Sequence, residues 1–228
     1  MLNTVFLIPI DHRGIHGKLF DQYLALQSWC EKNNSQIFTC NGLFLNFARN
    51  FLATGGRGNY DTRPVEAEWL FWIDSDIQFT IDQVEYLHRI DPKHKFVTGW
   101  YKSDYSDTAM VGKWNEDYFR EHLHMPFLSG DFMEKKAQES PSKLIKVDWC
   151  GFGFTKVHRS IYEEMEYPYY PLNPVEIKGC KGKNGRKLDV RDMSFEDVSF
   201  CNNCYATTGI KPLVVPKLRV GHLKSFFV

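Results

Sequence analysis

The chain predicts an α/β fold, with a mainly parallel central sheet flanked by helices. Three observations predict it. From Thr4 to Pro92, strand-like apolar runs alternate with helical stripes, three of each; this is the order of a right-handed doubly wound sheet. The third run, Trp69 to Ile73, is apolar throughout, as a strand buried on both faces must be. It leads directly into Asp74-Ser75-Asp76. The carboxylates therefore fall where open α/β sheets place their ligand crevice, at the carboxyl end of a central strand.

Each element has a local reason. Thr4 to Ile10 is the first strand, and Asp11 to Gly17 is a polar loop with two glycines. A helix runs from about Lys18 to Lys32, with Leu19, Phe20, Tyr23, Leu24 and Cys30 near helical spacing. Asn33-Asn34 ends it, Ser35 to Cys40 is a short strand, and Asn41-Gly42 is a turn. In the next helix Phe44, Phe47, Ala48, Phe51 and Leu52 follow the spacing of a buried stripe, which leaves Asn46, Arg49 and Asn50 on the opposite face. Gly55-Gly56-Arg57-Gly58 stops that helix. After the central strand, Thr80 and Gln83 form a capping box for a helix with Ile81, Val84 and Leu87 inward, and Pro92 terminates it.

Lys95 to Tyr101 supplies a fourth strand. Residues 102–143 are polar and aromatic with weak periodicity. Apart from short strands near Ala109 to Trp114 they read as a long irregular excursion, and loops of that length are usually functional. Leu144 to Phe154 returns to strand, and Gly151 and Gly153 inside it mark close approach of a ligand or backbone. Ser160 to Glu166 is a short helix before a proline- and tyrosine-rich loop. Lys178 to Arg186 is basic and rich in glycine and asparagine, and is expected to be mobile. Ser194 caps a helix that ends near Gly209, and Leu213 to Val220 is a last strand that delivers Gly221-His222.

Residues 1–228 read as one catalytic domain, alone or as the first domain of a longer chain. With 28 basic and 28 acidic residues, no global field draws the protein to nucleic acid or to an anionic membrane. No apolar run has the length of a membrane span, and no basic-then-apolar signal opens the chain. The expectation is a cytoplasmic protein with six reduced cysteines, in which Cys201 and Cys204 are helix thiols facing the core.

Asp74 and Asp76 are two apart, so on a regular strand they share a side. Two unpaired anions there repel, and a divalent cation is their natural partner. Oxygen ligands suit Mg²⁺ or Mn²⁺, whose sites usually also recruit substrate phosphates.

Several further motifs accompany this pair: Phe47-Ala-Arg49-Asn50, Gly99-Trp-Tyr101, Val147-Asp-Trp-Cys-Gly-Phe-Gly153, Ser194-Phe-Glu196-Asp197 and Gly221-His222. In this order they resemble the nucleotide-sugar-dependent glycosyltransferases of the GT-A fold, Rossmann-like enzymes that include small virus- and phage-encoded forms. The resemblance implies a metal-dependent transferase. It would move a sugar from a nucleotide-diphosphate sugar, most commonly a UDP-sugar, to a glycan or glycoprotein acceptor, with Mn²⁺ or Mg²⁺ as cofactor.

It also implies roles. Asp74 faces the ribose and the metal, Asp76 ligates the metal, and His222 completes the metal site. Pro9, Ile10, Asp11 and Arg13 hold the nucleobase and ribose, Ser75 lies in the same donor-binding stretch, and Arg49 takes a phosphate- or base-facing position. Gly151 belongs to the turn under the donor sugar, and Asp148 beside it hydrogen-bonds sugar hydroxyls. Glu196 and Asp197 are acceptor-side acids, with Asp197 the candidate general base of an inverting reaction. Asp76 and His222 can meet only if the last strand returns beside the central one.

The rival readings are a haloacid-dehalogenase-like phosphatase and a nucleotidyltransferase. Against the phosphatase, Gln78 stands where that class has Thr or Val, and the Asp74-Ser75-Asp76 strand is third rather than first.

Overall fold

Strand β1 (Leu2–Ile10) buries Thr4 to Pro9, because helices cover both faces of the sheet, and it has a parallel neighbour on each side. One neighbour is β2 (Ser35–Asn41), reached through helix α1 (Phe20–Lys32). The other is β3 (Ala67–Ile73), reached through α2 (Leu45–Ala53). The computed structural model describes residues 2–11, 14–103, 107–182 and 185–223.

Beyond β3 come the short β4 (Ile77–Gln78), α3 (Ile81–His88) and β5 (Phe96–Trp100). Both halves of the α3 capping box form: the Thr80 hydroxyl accepts from the Gln83 N–H, and the Gln83 side chain accepts from the Thr80 N–H.

The stretch 102–143 departs from the expected irregular excursion. It holds β6 (Thr108–Gly112), α4 (Glu116–His122), β7 (Phe127–Ser129) and α5 (Gly130–Glu139). Asn115 and Ser129 cap the two helices through their side-chain oxygens. Helix α4 buries none of its residues, and α5 buries only Gly130 and Met133. Neither carries an apolar stripe for periodicity to detect.

The run from Leu144 is not one strand but three short ones: β8 (Ile145–Lys146), β9 (Trp149–Cys150) and β10 (Phe154–His158). Then follow α6 (Arg159–Glu164), a hairpin of β11 (Pro174–Lys181) and β12 (Lys187–Met193), α7 (Glu196–Thr208), β13 (Leu213–Arg219) and β14 (Gly221–His222). Of the segment Lys178 to Arg186, Lys178 to Lys181 belong to β11, and Lys183 and Asn184 lie outside the described residues. Helix α7 begins one residue later than Ser194 implied. Its N-cap is Phe195, and the Ser194 hydroxyl instead meets Ser199 Oγ and the Asn173 carbonyl.

The main sheet has the order β2-β1-β3-β10-β5-β13-β8. Strands β2, β1, β3, β5 and β13 run one way, while β10 and β8 oppose them. Successive residues of β1 and β3 feed opposite faces, as strand geometry requires. Val5, Leu7, Leu70 and Trp72 pack with α2, α6 and α7; Phe6, Ile8, Phe71 and Ile73 pack with α1 and α3. Cys201 and Cys204 lie in the first of these cores as expected, and all six cysteines are buried free thiols. No helix among the described residues is long and apolar enough to cross a membrane.

Helix α2 buries only Ala48 and Leu52 of its expected apolar stripe. Arg49 and Asn50 are buried with Ala48 and Leu52, while Phe44, Phe47 and Phe51 are exposed. The two inward polar side chains, Arg49 and Asn50, both bond across the fold. Asn50 clamps the Tyr170 backbone, donating to its carbonyl at 3.1 Å and accepting from its N–H at 3.0 Å. Those contacts offset the cost of burying polar groups, and period alone cannot reveal them.

Candidate active site

The chain leaves β3 in a tight turn, closed by a hydrogen bond from the Ile77 N–H to the Asp74 carbonyl at 3.1 Å. Asp74 and Asp76 therefore do not share a strand face; the turn sends them to different partners.

Asp76 meets His222. Imidazole Nε2 lies 3.2 Å from carboxylate Oδ2. The expected route was a last strand beside the central one, but β10 and β5 separate β13 from β3. The meeting comes instead from β14, which pairs antiparallel with β4 immediately after the turn, setting His222 opposite Ile77. The Leu223 N–H to Asp76 carbonyl bond, 2.7 Å, continues that pairing. Tyr101, at the end of β5, packs its ring on His222 with centroids 5.1 Å apart. Beside His222 is a cavity of about 300 Å³ lined by Lys102, Ser103, Arg219, Val220, Gly221 and His222.

Asp74 meets Arg49. Nη2 donates to both carboxylate oxygens, at 2.9 and 3.3 Å, and Nε donates to Glu196 Oε1 at 3.3 Å. The guanidinium lies 5.4 Å from each of the Trp72 and Phe152 rings. Nη1 is buried with no hydrogen-bond partner among the described residues. One side chain thus ties the end of β3 to the start of α7. Burial alone would lower the Arg49 pKa, and Asp74 and Glu196 more than reverse that. Burial holds the Asp74 carboxyl above its usual range, against the pull of Arg49. The resemblance implies a phosphate- or base-facing Arg49; the structure buries it at 1% exposure with carboxylates as its partners.

Glu196 and Asp197 open α7, where acids complement the helix dipole. Glu196 is buried on Arg49, and Asp197 is half-buried, with Oδ1 accepting from the Val198 N–H at 2.7 Å. Burial raises the Asp197 carboxyl to about 7, and Glu196 and Asp74 add to that rise against the pull of Arg49. A carboxyl so tuned can take up and release a proton near neutrality.

The other expected residues are placed separately. Pro9 and Ile10 end β1 beside β2, with the Ile10 carbonyl accepting from the Gly42 N–H, and the Asp11 carbonyl accepts from the Gly14 N–H. Arg13 lies outside the described residues. Ser75 is buried in the turn. Gly151 does mark a close approach, but the neighbour is the Tyr101 side chain, which also crowds Gly153. Asp148 stands apart from the cluster, bonded to the Lys211 ammonium at 2.5 Å and the Trp114 N–H at 2.8 Å. Two tyrosines of the site were not singled out from sequence. Burial and the nearby Asp74 raise the pKa of both Tyr101 and Tyr23, and the Tyr23 hydroxyl lies 3.5 Å from the Asp74 carbonyl. For Tyr101 a signal existed in Gly99-Trp-Tyr101; for Tyr23, an ordinary helix position, there was none.

No family model and no curated protein sequence matches the chain. Solved structures do. A197 from STIV aligns with a TM-score of 0.54 at 16% identity, over 98% of this chain and 87% of that one. A crystal structure of GalNAc-T7 with UDP, GalNAc and Mn²⁺ aligns with a TM-score of 0.52 at 12% identity, over 99% of this chain. The fold is GT-A. The chain spans 44% of the length of the GalNAc-T7 chain, so the likeness takes in the whole of the smaller molecule and part of the larger.

Proposed function

We propose that the protein is a metal-dependent glycosyltransferase that moves a sugar from a nucleotide-diphosphate sugar, with a UDP-sugar as the donor, to a glycan or glycoprotein acceptor. The observation that carries this reading is the 3.2 Å contact of Asp76 and His222, at the carboxyl end of the central strand of a GT-A fold. The GalNAc-T7 structure, with its UDP and Mn²⁺, supports the choice of nucleotide and metal.

The residues present fit a divalent cation. One carboxylate and one imidazole are already at ligand separation, and Asp74 sits at the other end of the same turn. Among the described residues no cluster of three or more candidate ligands forms. An incomplete protein shell suits Mg²⁺ or Mn²⁺, which keep waters and are completed by substrate phosphates. When bound there, the ion offsets the charge that develops on the departing diphosphate.

The chain's own groups supply the rest. Arg49 holds Asp74 and Glu196 in fixed positions. Asp197 accepts the proton of the acceptor hydroxyl, and its raised pKa suits that task near pH 7. The end of β1, Pro9 to Asp11 with Arg13, holds the nucleoside. Asp148, tied to Lys211, is left out of the chemistry.

Calorimetry with UDP-sugars and Mn²⁺, with and without EDTA, tests the reading. Metal-dependent binding is expected; equal binding with EDTA sinks it, and preference for a guanosine donor changes the nucleotide alone. Asp76→Asn should abolish turnover and His222→Ala should weaken metal-dependent binding. The phosphatase alternative requires a phosphoryl group on Asp74, a carboxylate already held by Arg49 through both oxygens.

A further inference from the structure

The main sheet ends at β2 on one side. The Gly42 N–H bonds to the Ile10 carbonyl, and in a parallel ladder this fixes the alternation. Residues 36, 38 and 40 turn their backbone groups to β1, while Ile37 and Thr39 turn theirs outward. No described residue outside β1 takes up those outward groups. Natural edge strands are protected by charge, proline, bulges or shortness. Strand β2 is Ser-Gln-Ile-Phe-Thr-Cys-Asn, seven residues in unbroken register with β1, and has none of these devices.

The neighbouring surface is apolar as well. Phe44 is 80% exposed and Phe47 60%, and Leu43, Leu45 and Phe51 are exposed beside them. Taking about 200 Å² for each such side chain, they leave roughly 500 Å² of apolar surface open. That lies in the upper part of the roughly 300–600 Å² of a typical monomer's largest patch, which is often functional, and with the strand edge added it approaches the ~800 Å² per partner of a stable complex. From Ser35 to Gly56 the only charged residue is Arg49, which is buried. The cations that adjoin it, Arg57 and Arg63, are both paired with Asp61, so the face offers little free charge to an ionic partner or an anionic membrane. It also presents no like-charge repulsion to its own copy, and the whole chain is neutral.

We propose that β2 pairs antiparallel with β2 of a second copy about a twofold axis, and that the two α2 stripes meet across the same axis. The interface is isologous, so one patch serves both partners, and it continues the seven-stranded sheet through the dimer. Arg49 and the acids it holds lie on the opposite face of α2, so the dimer leaves the site open.

Sedimentation velocity across a dilution series tests this on the whole chain. The expected species has twice the 26.7 kDa chain mass at micromolar concentration. Thr39→Pro removes an outward N–H while leaving the β1 ladder intact, and Phe47→Asp puts a charge at the centre of the stripe. Each should weaken the dimer about tenfold or more, the loss expected for a residue worth over 1.4 kcal/mol at an interface. Far-ultraviolet circular dichroism of each variant should match that of the parent chain; if Thr39→Pro fails to fold, Thr39→Lys takes its place. A chain that stays monomeric at every concentration overturns the proposal. So does a dimer indifferent to both variants, or a monomer that instead co-sediments with phosphatidylserine vesicles.

Discussion

Arg49→Met is the perturbation that best separates structure from sequence pattern. If Arg49 lay on a solvated helix face, as the spacing of Phe44, Phe47 and Phe51 predicts, the change would fall within about 0.5 kcal/mol of neutral. The structure places it at 1% exposure, bonded to Asp74 and Glu196. Removing one partner of a buried ion pair costs about 3–5 kcal/mol, because the other charge stays behind. For a chain of this length that is a fall in Tm of roughly 10 °C. The sign of the pH effect follows. Burial already raises the Asp74 pKa, and loss of the guanidinium raises it further. The variant then keeps its Asp74 contribution below the usual carboxylate range and loses it as pH rises through the raised value, so the deficit is larger at pH 8 than at pH 4. Asp74→Asn in the same chain should recover part of the loss, a coupling that a double-mutant cycle measures. Chemical denaturation of the four proteins at both pH values is the assay. A deficit under about 0.5 kcal/mol, or no coupling between the two positions, refutes the buried network.

Three further outcomes follow from other sites. Lys156 is 1% exposed, donates to the His88 carbonyl at 3.0 Å and lies over Trp69, and burial lowers its pKa to about 8. From the usual 10.5 that shift costs folding about 3 kcal/mol at neutral pH. Lys156→Met should therefore be the more stable protein at pH 7, and its advantage should shrink as pH rises from 8 towards 10.5, as paired denaturation curves will show. A Cβ on Gly153 would lie 2.7 Å from the Tyr101 ring, so Gly153→Ala should cost about 1–3 kcal/mol and disturb the packing of Tyr101 on His222, read from the His222 imidazole resonances. Because the folded pKa of Asp197 is raised to about 7, its contribution is present at low pH and lost as pH rises through that value; Asp197→Asn should gain stability over the parent above pH 7 while losing the proposed transfer activity.

What was legible in the sequence was what strong periodicity or local chemistry dictates. The buried run of β3, the capping box of α3 and the left-handed Gly209 that ends α7 all follow from the residues themselves. The two acids after β3 also pointed to the candidate site, because nothing apolar is served by Asp74-Ser75-Asp76 at the end of a buried strand. Helices α4 and α5 were not legible, since a helix with little or no buried surface has no stripe. The partition of the acids was not legible either. Asp74 and Asp76 look equivalent in sequence, yet the turn that follows Ile73 gives one to Arg49 and the other to His222, and both partners are distant in the chain.

Helix α2 shows why a local rule fails where it does. Its apolar spacing favours burying Phe44, Phe47 and Phe51, and its polar residues favour water. Rotating the helix to satisfy that pattern would bring the phenylalanines against β1 and β2 and take Arg49 away from Asp74 and Glu196. Those acids would then be buried together without a cation, at several kcal/mol for each uncompensated charge. Leaving Phe44, Phe47 and Phe51 in water at 80%, 60% and 38% exposure costs roughly 9 kcal/mol, at about 25 cal/mol per Å² and about 200 Å² for each ring, a cost comparable to that of the two uncompensated charges. The structure keeps the ion pairs and leaves the rings at the surface. Departures of this kind are expected where function and local pattern compete. A dimer formed through β2 would cover those rings again, so that the orientation required by Arg49 and the burial favoured by the phenylalanines are both met.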